Sequence, residues 1–326
     1  MTTSTSPTEP GATGEPVPDE HVSGRETTSA GLPGVLVATD GSESAIAAVK
    51  WAAAEAQLRG VPLTLANIYS TRIVSYPSEM PITVFEVLRD DSEHVVQEAA
   101  ASVRAQWPDL PTAAVSRTGA VIPVLGEEAE GKELAVIGTR GLGGFSGLLL
   151  GSVGMGLTAQ ASCAVAVIRG EVPAPGTDTT SPIVVGVDGS HHADHALTSA
   201  FEEARLRRCP LRIVHCWQDP TSDAFTTNGP KLPEFDQKQW ESLAATQLVE
   251  QVATLQSSYP DVQVETVVDW RRPTVALLER SEGAQLLVVG SRGRGALKGF
   301  VLGSTSRVMV QHATCPVLVT KVPAES

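Results

Sequence analysis

The sequence predicts an α/β protein made of two tandem domains of one kind, each a five-stranded parallel sheet with helices on both faces. Three observations carry this. The chain repeats itself in order: Val35-Leu-Val-Ala-Thr-Asp40-Gly-Ser42 matches Ile183-Val-Val-Gly-Val-Asp188-Gly-Ser190, Pro62-Leu-Thr-Leu-Ala-Asn-Ile68 matches Pro210-Leu-Arg-Ile-Val-His-Cys216, and Cys163-Ala-Val-Ala-Val-Ile168 matches Cys315-Pro-Val-Leu-Val-Thr320. Within each copy, short β-branched runs alternate with longer helical stretches, which implies right-handed crossovers and a parallel sheet buried on both faces. A glycine string also occurs twice: Gly138, two residues, Gly141, nine residues, Gly151-Ser152, and likewise Gly290, Gly293, Gly303-Ser304.

Taken in order, 35–39 is a β-branched strand, 44–59 an Ala-rich helix stopped by Gly60, and 63–68 the next strand. A loop over 69–83 leads to a helix over 84–106, a strand over 112–116, a helix over 121–130, a strand over 134–137, a helix over 152–160 and a strand over 165–168. The second copy follows the same plan. The expected organisation is a tail over 1–30, a first domain over 31–169, a linker over 170–181 and a second domain over 182–322. The tail is rich in Thr, Ser, Pro, Glu and Gly, lacks an apolar run, and reads as disordered; it has neither the pattern of a signal peptide nor that of a transit peptide.

Composition narrows the function. A chain of 326 residues, 42% apolar and only 4% aromatic, suits two aliphatic cores. With 24 basic against 37 acidic residues and a formal charge of −13, its overall field disfavours nucleic acid and anionic membranes. No apolar run approaches the roughly 18 residues of a membrane span. The cysteines Cys163, Cys209, Cys216 and Cys315 form no CxxC pair, and two of them hold equivalent places ahead of buried strands, which reads as reduced structural thiols in a cytoplasmic protein.

The glycine strings are where chemistry is expected. Each follows a buried run, 134–137 or 286–289, and ends at a Gly-Ser suited to capping a helix. Glycine lets the backbone approach a ligand closely, and a helix N-terminus offers unpaired N–H groups at the positive end of its dipole. Such a turn is a phosphate cradle. It also serves, in other proteins, only to pack a helix tightly on a sheet, and Asp40 and Asp188, each followed by Gly-Ser, also suit the start of a helix. His191, His192 and His195 open a helix in the second copy, but they have no counterpart in the first and read as a solvated face, so no metal is expected from protein side chains alone.

These four stretches, present twice over 34–169 and 182–321, resemble the universal stress protein family of the ATP-binding, tandem-domain, actinobacterial-like type. The resemblance implies a Rossmann-like domain of the adenine nucleotide α-hydrolase kind. It implies that Asp40 and Asp188 meet the nucleoside beside Ala38 and Gly186, and that the main chain at Ile68 and Cys216 reads the adenine. The phosphates would fall to Gly138, Thr139, Arg140, Gly141, Leu142, Gly143 and Gly144 with Gly151, Ser152 and Val153 in the first domain. Gly290, Ser291, Arg292, Gly293, Arg294, Gly295 and Ala296 with Gly303, Ser304 and Thr305 would take that place in the second.

The second loop carries Arg292, Arg294 and Lys298 where the first has Arg140, Leu142 and Ser146, so the second site is expected to hold triphosphate more firmly. Gly154 and Gly156 are expected to loosen the first cradle helix. The resemblance further implies that the final strands, 165–168 and 317–320, pair across a two-fold axis, which a tandem chain can satisfy internally as a pseudo-two-fold monomer, able to form a homodimer through another surface. The expected function is a cytoplasmic regulator of stress response or dormancy that binds ATP, alone or with Mg2+, hydrolyses it slowly or not at all, and acts on an unidentified protein partner. A slow ATP-hydrolysing enzyme and a nucleotide-free interaction module are the alternatives. The chain lacks the GxxxxGK[ST] loop of P-loop enzymes.

Overall fold

The computed structural model describes residues 33–70, 82–139, 141, 150–216, 237–293 and 302–322. The tail over 1–30 and most of both glycine loops, including Arg140, Leu142, Gly143, Gly144, Arg294, Gly295, Ala296 and Lys298, lie outside the described residues.

The first half runs β1 (Val35–Ala38), α1 (Glu43–Arg59), β2 (Leu63–Tyr69), α2 (Ile82–Gln106), β3 (Thr112–Thr118), α3 (Val121–Glu128), β4 (Leu134–Gly138), α4 (Ser152–Gln160) and β5 (Ala164–Ile168). The second half repeats it as β6 (Ile183–Val187), α5 (His191–Arg207), β7 (Leu211–Cys216), α6 (Gln237–Ser258), β8 (Val264–Asp269), α7 (Pro273–Arg280), β9 (Leu286–Gly290), α8 (Ser304–His312) and β10 (Val317–Thr320). The expected boundaries hold to within a residue or two, α2 and β3 each being two residues longer.

Local chemistry sets the ends of the first helix of each half. Ser42 and Ser190 cap α1 and α5, each hydroxyl accepting from the N–H three residues on. Asp40 and Asp188 do not cap; each folds back on the turn, its Oδ1 accepting from the N–H of Ser42 or Ser190 at 3.1 and 3.0 Å. At the far end α1 closes on Gly60, at φ 70°, and α5 on Arg208, at φ 54°, so the second half puts a side chain where the first has glycine.

The strands form one ten-stranded sheet in the order β3-β2-β1-β4-β5-β10-β9-β6-β7-β8. Each half is parallel throughout, and the halves join where β5 and β10 run antiparallel with Val317 opposite Val167 and Val319 opposite Val165. The pairing expected between the two terminal strands is therefore formed within one chain. Side-chain alternation sends Val35 and Val37 to the face covered by α1, α2, α5 and α6, and Leu36 to the face covered by α3, α4, α7 and α8. Ala166 and Leu318 serve the first face and Val165, Val167, Val317 and Val319 the second, so both cores run unbroken across the junction. The linker crosses this surface with Val172 packed against the α1 side and Asp178 accepting from the N–H groups of Thr180 and Ser181.

Two polar devices reinforce the junction, and both obey its pseudo-two-fold symmetry. Glu55 and Arg59 near the end of α1 meet Glu203 and Arg207 near the end of α5: Arg59 pairs with Glu55 at 2.7 Å and with Glu203, while Arg207 pairs with Glu55 at 2.6 Å and with Glu203. Glu55, Glu203 and Arg207 are buried, and the Arg207 guanidinium also lies 5.9 Å from the Trp51 ring centre. The second device follows the last strands. Arg169 donates to the carbonyls of Val310 and Gln311 at the end of α8, and Lys321 donates to those of Thr158 and Ala159 at the end of α4.

Candidate functional site

In each half the strand order reverses between the first and fourth strands, β1 beside β4 and β6 beside β9, and a cavity opens at their carboxyl ends. The cavities are nearly equal, about 530 Å³ in the first half and about 520 Å³ in the second, within the range of small-molecule sites.

Of the residues expected in the first site, Ala38, Asp40, Ile68, Gly138, Thr139, Gly141, Gly151, Ser152 and Val153 all line the first cavity. In the second, Gly186, Asp188, Cys216, Gly290, Arg292, Gly293, Gly303, Ser304 and Thr305 line the cavity. Ser291 is not among the residues lining that cavity; it is buried, its N–H donates to the Thr320 carbonyl at 3.0 Å, and its own carbonyl accepts from Gly303 at 2.8 Å.

The glycines have distinct reasons. A Cβ on Gly138 would stand 2.6 Å from the Ser44 carbonyl oxygen, and one on Gly290 2.8 Å from that of His192, so these two let the first helix of each half sit directly on its fourth strand. A Cβ on Gly293 would stand 2.5 Å from Asp188 Oδ2, and Gly141 lies against Asp40 Oδ2 in the same way. These glycines make room for the half-buried aspartate beside the loop. Gly151 and Gly303 hold the cap positions of α4 and α8, each N–H tied to the carbonyl of the first residue after the fourth strand, Thr139 at 2.9 Å and Ser291 at 2.8 Å. The sequence pointed to Ser152 and Ser304 as caps. They fall one position inside the helices instead, and no side chain caps either first turn, so the cavity floor is a helix N-terminus with glycine at its cap.

Gly154 and Gly156, expected to loosen α4, have packing roles. A Cβ on Gly154 would meet the Leu150 side chain at 2.7 Å, and one on Gly156 would run into Ile122 of α3. The two glycines therefore bring α4 close to its neighbours, whereas α8 has Ser306 in place of Gly154, its hydroxyl donating to the Gly290 carbonyl at 2.5 Å.

Sequence reasoning missed one wall of each cavity. Val121 and Leu125 of α3, and Pro273 and Leu277 of α7, supply the apolar side opposite the glycine turn. Asn67 also lines the first cavity, its amide donating to the Thr39 carbonyl at 2.7 Å and accepting from Ser92. Arg307 lines the second, where α4 carries Met155. Two guanidinium groups, Arg292 and Arg307, thus border the second cavity, and among the described residues no cation borders the first.

Burial pushes the Cys216 thiol up to about 12 and those of Cys163 and Cys315 up to about 11, which keeps all three protonated at neutral pH. No disulfide links the four cysteines. His191 and His195 meet edge to face with ring centres 4.8 Å apart. For His192, burial, and then the Arg292 guanidinium, lowers the pKa. Among the described residues no cluster of His, Cys, Asp or Glu is arranged to hold a metal ion, and no helix is long and apolar enough to cross a membrane.

Comparison with known proteins places this arrangement. The chain matches the Universal stress protein family over residues 34–169 and again over 179–321. It is 35% identical to a universal stress protein of Mycobacterium tuberculosis strain H37Rv over 88% of this chain and 96% of that one. A universal stress protein of Mycolicibacterium smegmatis is 34% identical over 88% of this chain and 97% of its own length. Among solved structures, a universal stress protein from Archaeoglobus fulgidus superposes with a TM-score of 0.65 at 21% identity, covering 88% of this chain and 98% of that one, which is a likeness of fold.

Proposed function

The chain belongs to the universal stress protein family, and from that premise we propose that it binds one ATP in each half and acts as a cytoplasmic, nucleotide-dependent regulator of stress response or dormancy. The observation that carries this reading is the pair of matched cavities, each bounded by an aspartate, a glycine turn and a helix N-terminus. Their chemistry suits the parts of ATP in turn. The apolar wall of Val121 and Leu125, or Pro273 and Leu277, offers a slot for a flat base against Ile68 or Cys216. Asp40 or Asp188 can accept from ribose hydroxyls, and the first turns of α4 and α8 point N–H groups at phosphate.

The reading is one of binding and not of turnover. Attack on a phosphate needs a nucleophile activated by a base and a charge sink, and among the described residues the bordering ionisable side chains are the aspartate and, in the second half, Arg292 and Arg307. Mg2+ would then come with the triphosphate, held by its oxygens. The signal would pass to a protein partner from a monomer whose halves are already paired, with further dimerisation through another face. Mass spectrometry of nucleotide carried through purification, followed by calorimetry of the stripped protein with ATP, tests this. Two equivalents of bound ATP with no product are expected; a stripped chain that takes up none would overturn the reading.

A further inference from the structure

α4 and α8 carry the first-turn N–H groups of the two cavities, and the opposite end of each helix is closed by the other half of the chain. Lys321 follows β10 in the second half, yet its Nζ lies 2.6 Å from the carbonyl of Thr158 and 3.2 Å from that of Ala159, both in the last turn of α4. Arg169 follows β5 in the first half and donates to Val310 at 3.1 Å and Gln311 at 2.7 Å in the last turn of α8. The four carbonyls are among those that every helix leaves without an internal partner at its C-terminus. α4 and α8 are nine residues long and have no basic residue of their own in the last turn beyond His312. A cation placed there complements the negative end of the dipole.

We propose that Lys321 and Arg169 are positioning residues exchanged between the halves: each half fixes the phosphate-binding helix of the other, so neither nucleotide site is complete without the opposite domain. The proposal rests on the reading of the cavities as ATP sites. It gives the antiparallel β5–β10 junction a function beyond cohesion, because opening the junction would withdraw both cations from the cradles they steady.

The two clamps differ in one respect that makes them distinguishable. Arg169 stays charged at every accessible pH. Burial of Lys321, and after it the Arg292 guanidinium following β9, brings its pKa down to about 8; the other facing group, Cys163 in the turn before β5, is a neutral thiol in this range. Lysine is charged below its pKa, so the α4 clamp loses its charge as pH rises through about 8 and the α8 clamp does not.

The test isolates each site in the full chain. Gly293→Val leaves the first site and Gly141→Val the second, since each added side chain would displace the adjoining aspartate. In the Gly293→Val background, Lys321→Met is expected to weaken ATP binding about fivefold, the scale of a partly buried charge at a helix end. Lys321→Arg should restore the affinity and abolish its decline above pH 8. In the Gly141→Val background, Arg169→Met should weaken binding by a similar factor, independently of pH. An effect that is larger in the residue's own half, or absent from both, overturns the proposal, as does a Lys321→Arg chain that keeps the pH dependence. Hydrogen exchange on the nucleotide-free chain separates this from failure of the ATP reading. Lys321→Met should speed exchange in α4 and leave α8 unchanged whether or not ATP binds, and unchanged α4 exchange overturns the clamp itself.

Discussion

Glu55 and Arg207 stand 152 residues apart in the sequence and 2.6 Å apart in the structure, both buried at the seam between the halves. With Arg59 and Glu203 they close a ring in which every charge faces two of the opposite sign. Removing one member leaves uncompensated charge in a dry interface, which costs about 3–5 kcal/mol. Arg207→Met is therefore expected to lower stability by about that amount, read as a fall in the urea midpoint at unchanged slope. A loss below about 1 kcal/mol would mean that the ring behaves like exposed ion pairs.

The seam should also fail through its backbone. Pro316 and Thr320 give their carbonyls to β9, through Leu287 and Ser291, so strand alternation turns the N–H of Val317 toward β5. Val317→Pro removes that donor in the middle of the sheet and leaves the facing β5 carbonyl without its partner, at a cost of about 1–3 kcal/mol. Calorimetry should then resolve separate unfolding of the two halves. A single transition at the original temperature would show that the strand pairing does not hold the halves together.

Arg208 closes α5 in the left-handed conformation, where Gly60 closes α1. That conformation costs a residue with a Cβ about 1 kcal/mol, and Arg208 is exposed, so its side chain offsets little of this by packing. Arg208→Gly is expected to stabilise the chain by up to about 1 kcal/mol. A thermal midpoint that does not rise would show that the arginine's contacts outweigh the strain.

Most of the fold was legible because the duplication supplied two readings of each element, and glycine, serine and β-branched residues mark turn, cap and strand through local chemistry. Legibility ended where a residue's role depends on elements far away in sequence. Glu55 with Arg59, and Glu203 with Arg207, are four apart on their helices, the spacing of a solvated surface pair, yet the antiparallel seam buries them against each other. The apolar wall of each cavity was missed for the same reason: Leu125 and Leu277 follow the periodicity of core residues, and only the packing of α3 and α7 beside the crevice makes them line the cavity. Gly138 and Gly290 were read as phosphate contacts from their place in a glycine string that resembles the family's. The structure adds a packing duty that the same residue type serves equally well.

At the sites, Gly293 lies so close to Asp188 that any side chain must push the carboxylate aside. Gly293→Val should therefore reduce ATP stoichiometry from two to one, with the remaining affinity that of the first half. Calorimetry giving two unaltered sites would remove Asp188 and its loop from the binding surface.

Among the described residues the cavities match in size but not in charge, and Arg307 is a difference that can be tested singly. It stands on the first turn of α8 beside the second cavity, at the position Met155 holds in α4. A guanidinium there can form charge-assisted hydrogen bonds to phosphate, stronger than neutral ones and weakened by salt in proportion to exposure. Because Arg307 is exposed, its contribution should be about 1 kcal/mol, roughly fivefold in affinity, and should shrink as ionic strength rises. Arg307→Met is expected to bring the second site down toward the first for ATP while changing affinity for adenosine little. The reciprocal Met155→Arg should tighten the first site for ATP alone. If Arg307→Met weakened adenosine and ATP equally, the arginine would be shaping the cavity and not meeting phosphate, and the stronger triphosphate binding expected of the second half would have to come from Arg294 and Lys298, which have no basic counterpart in the first loop.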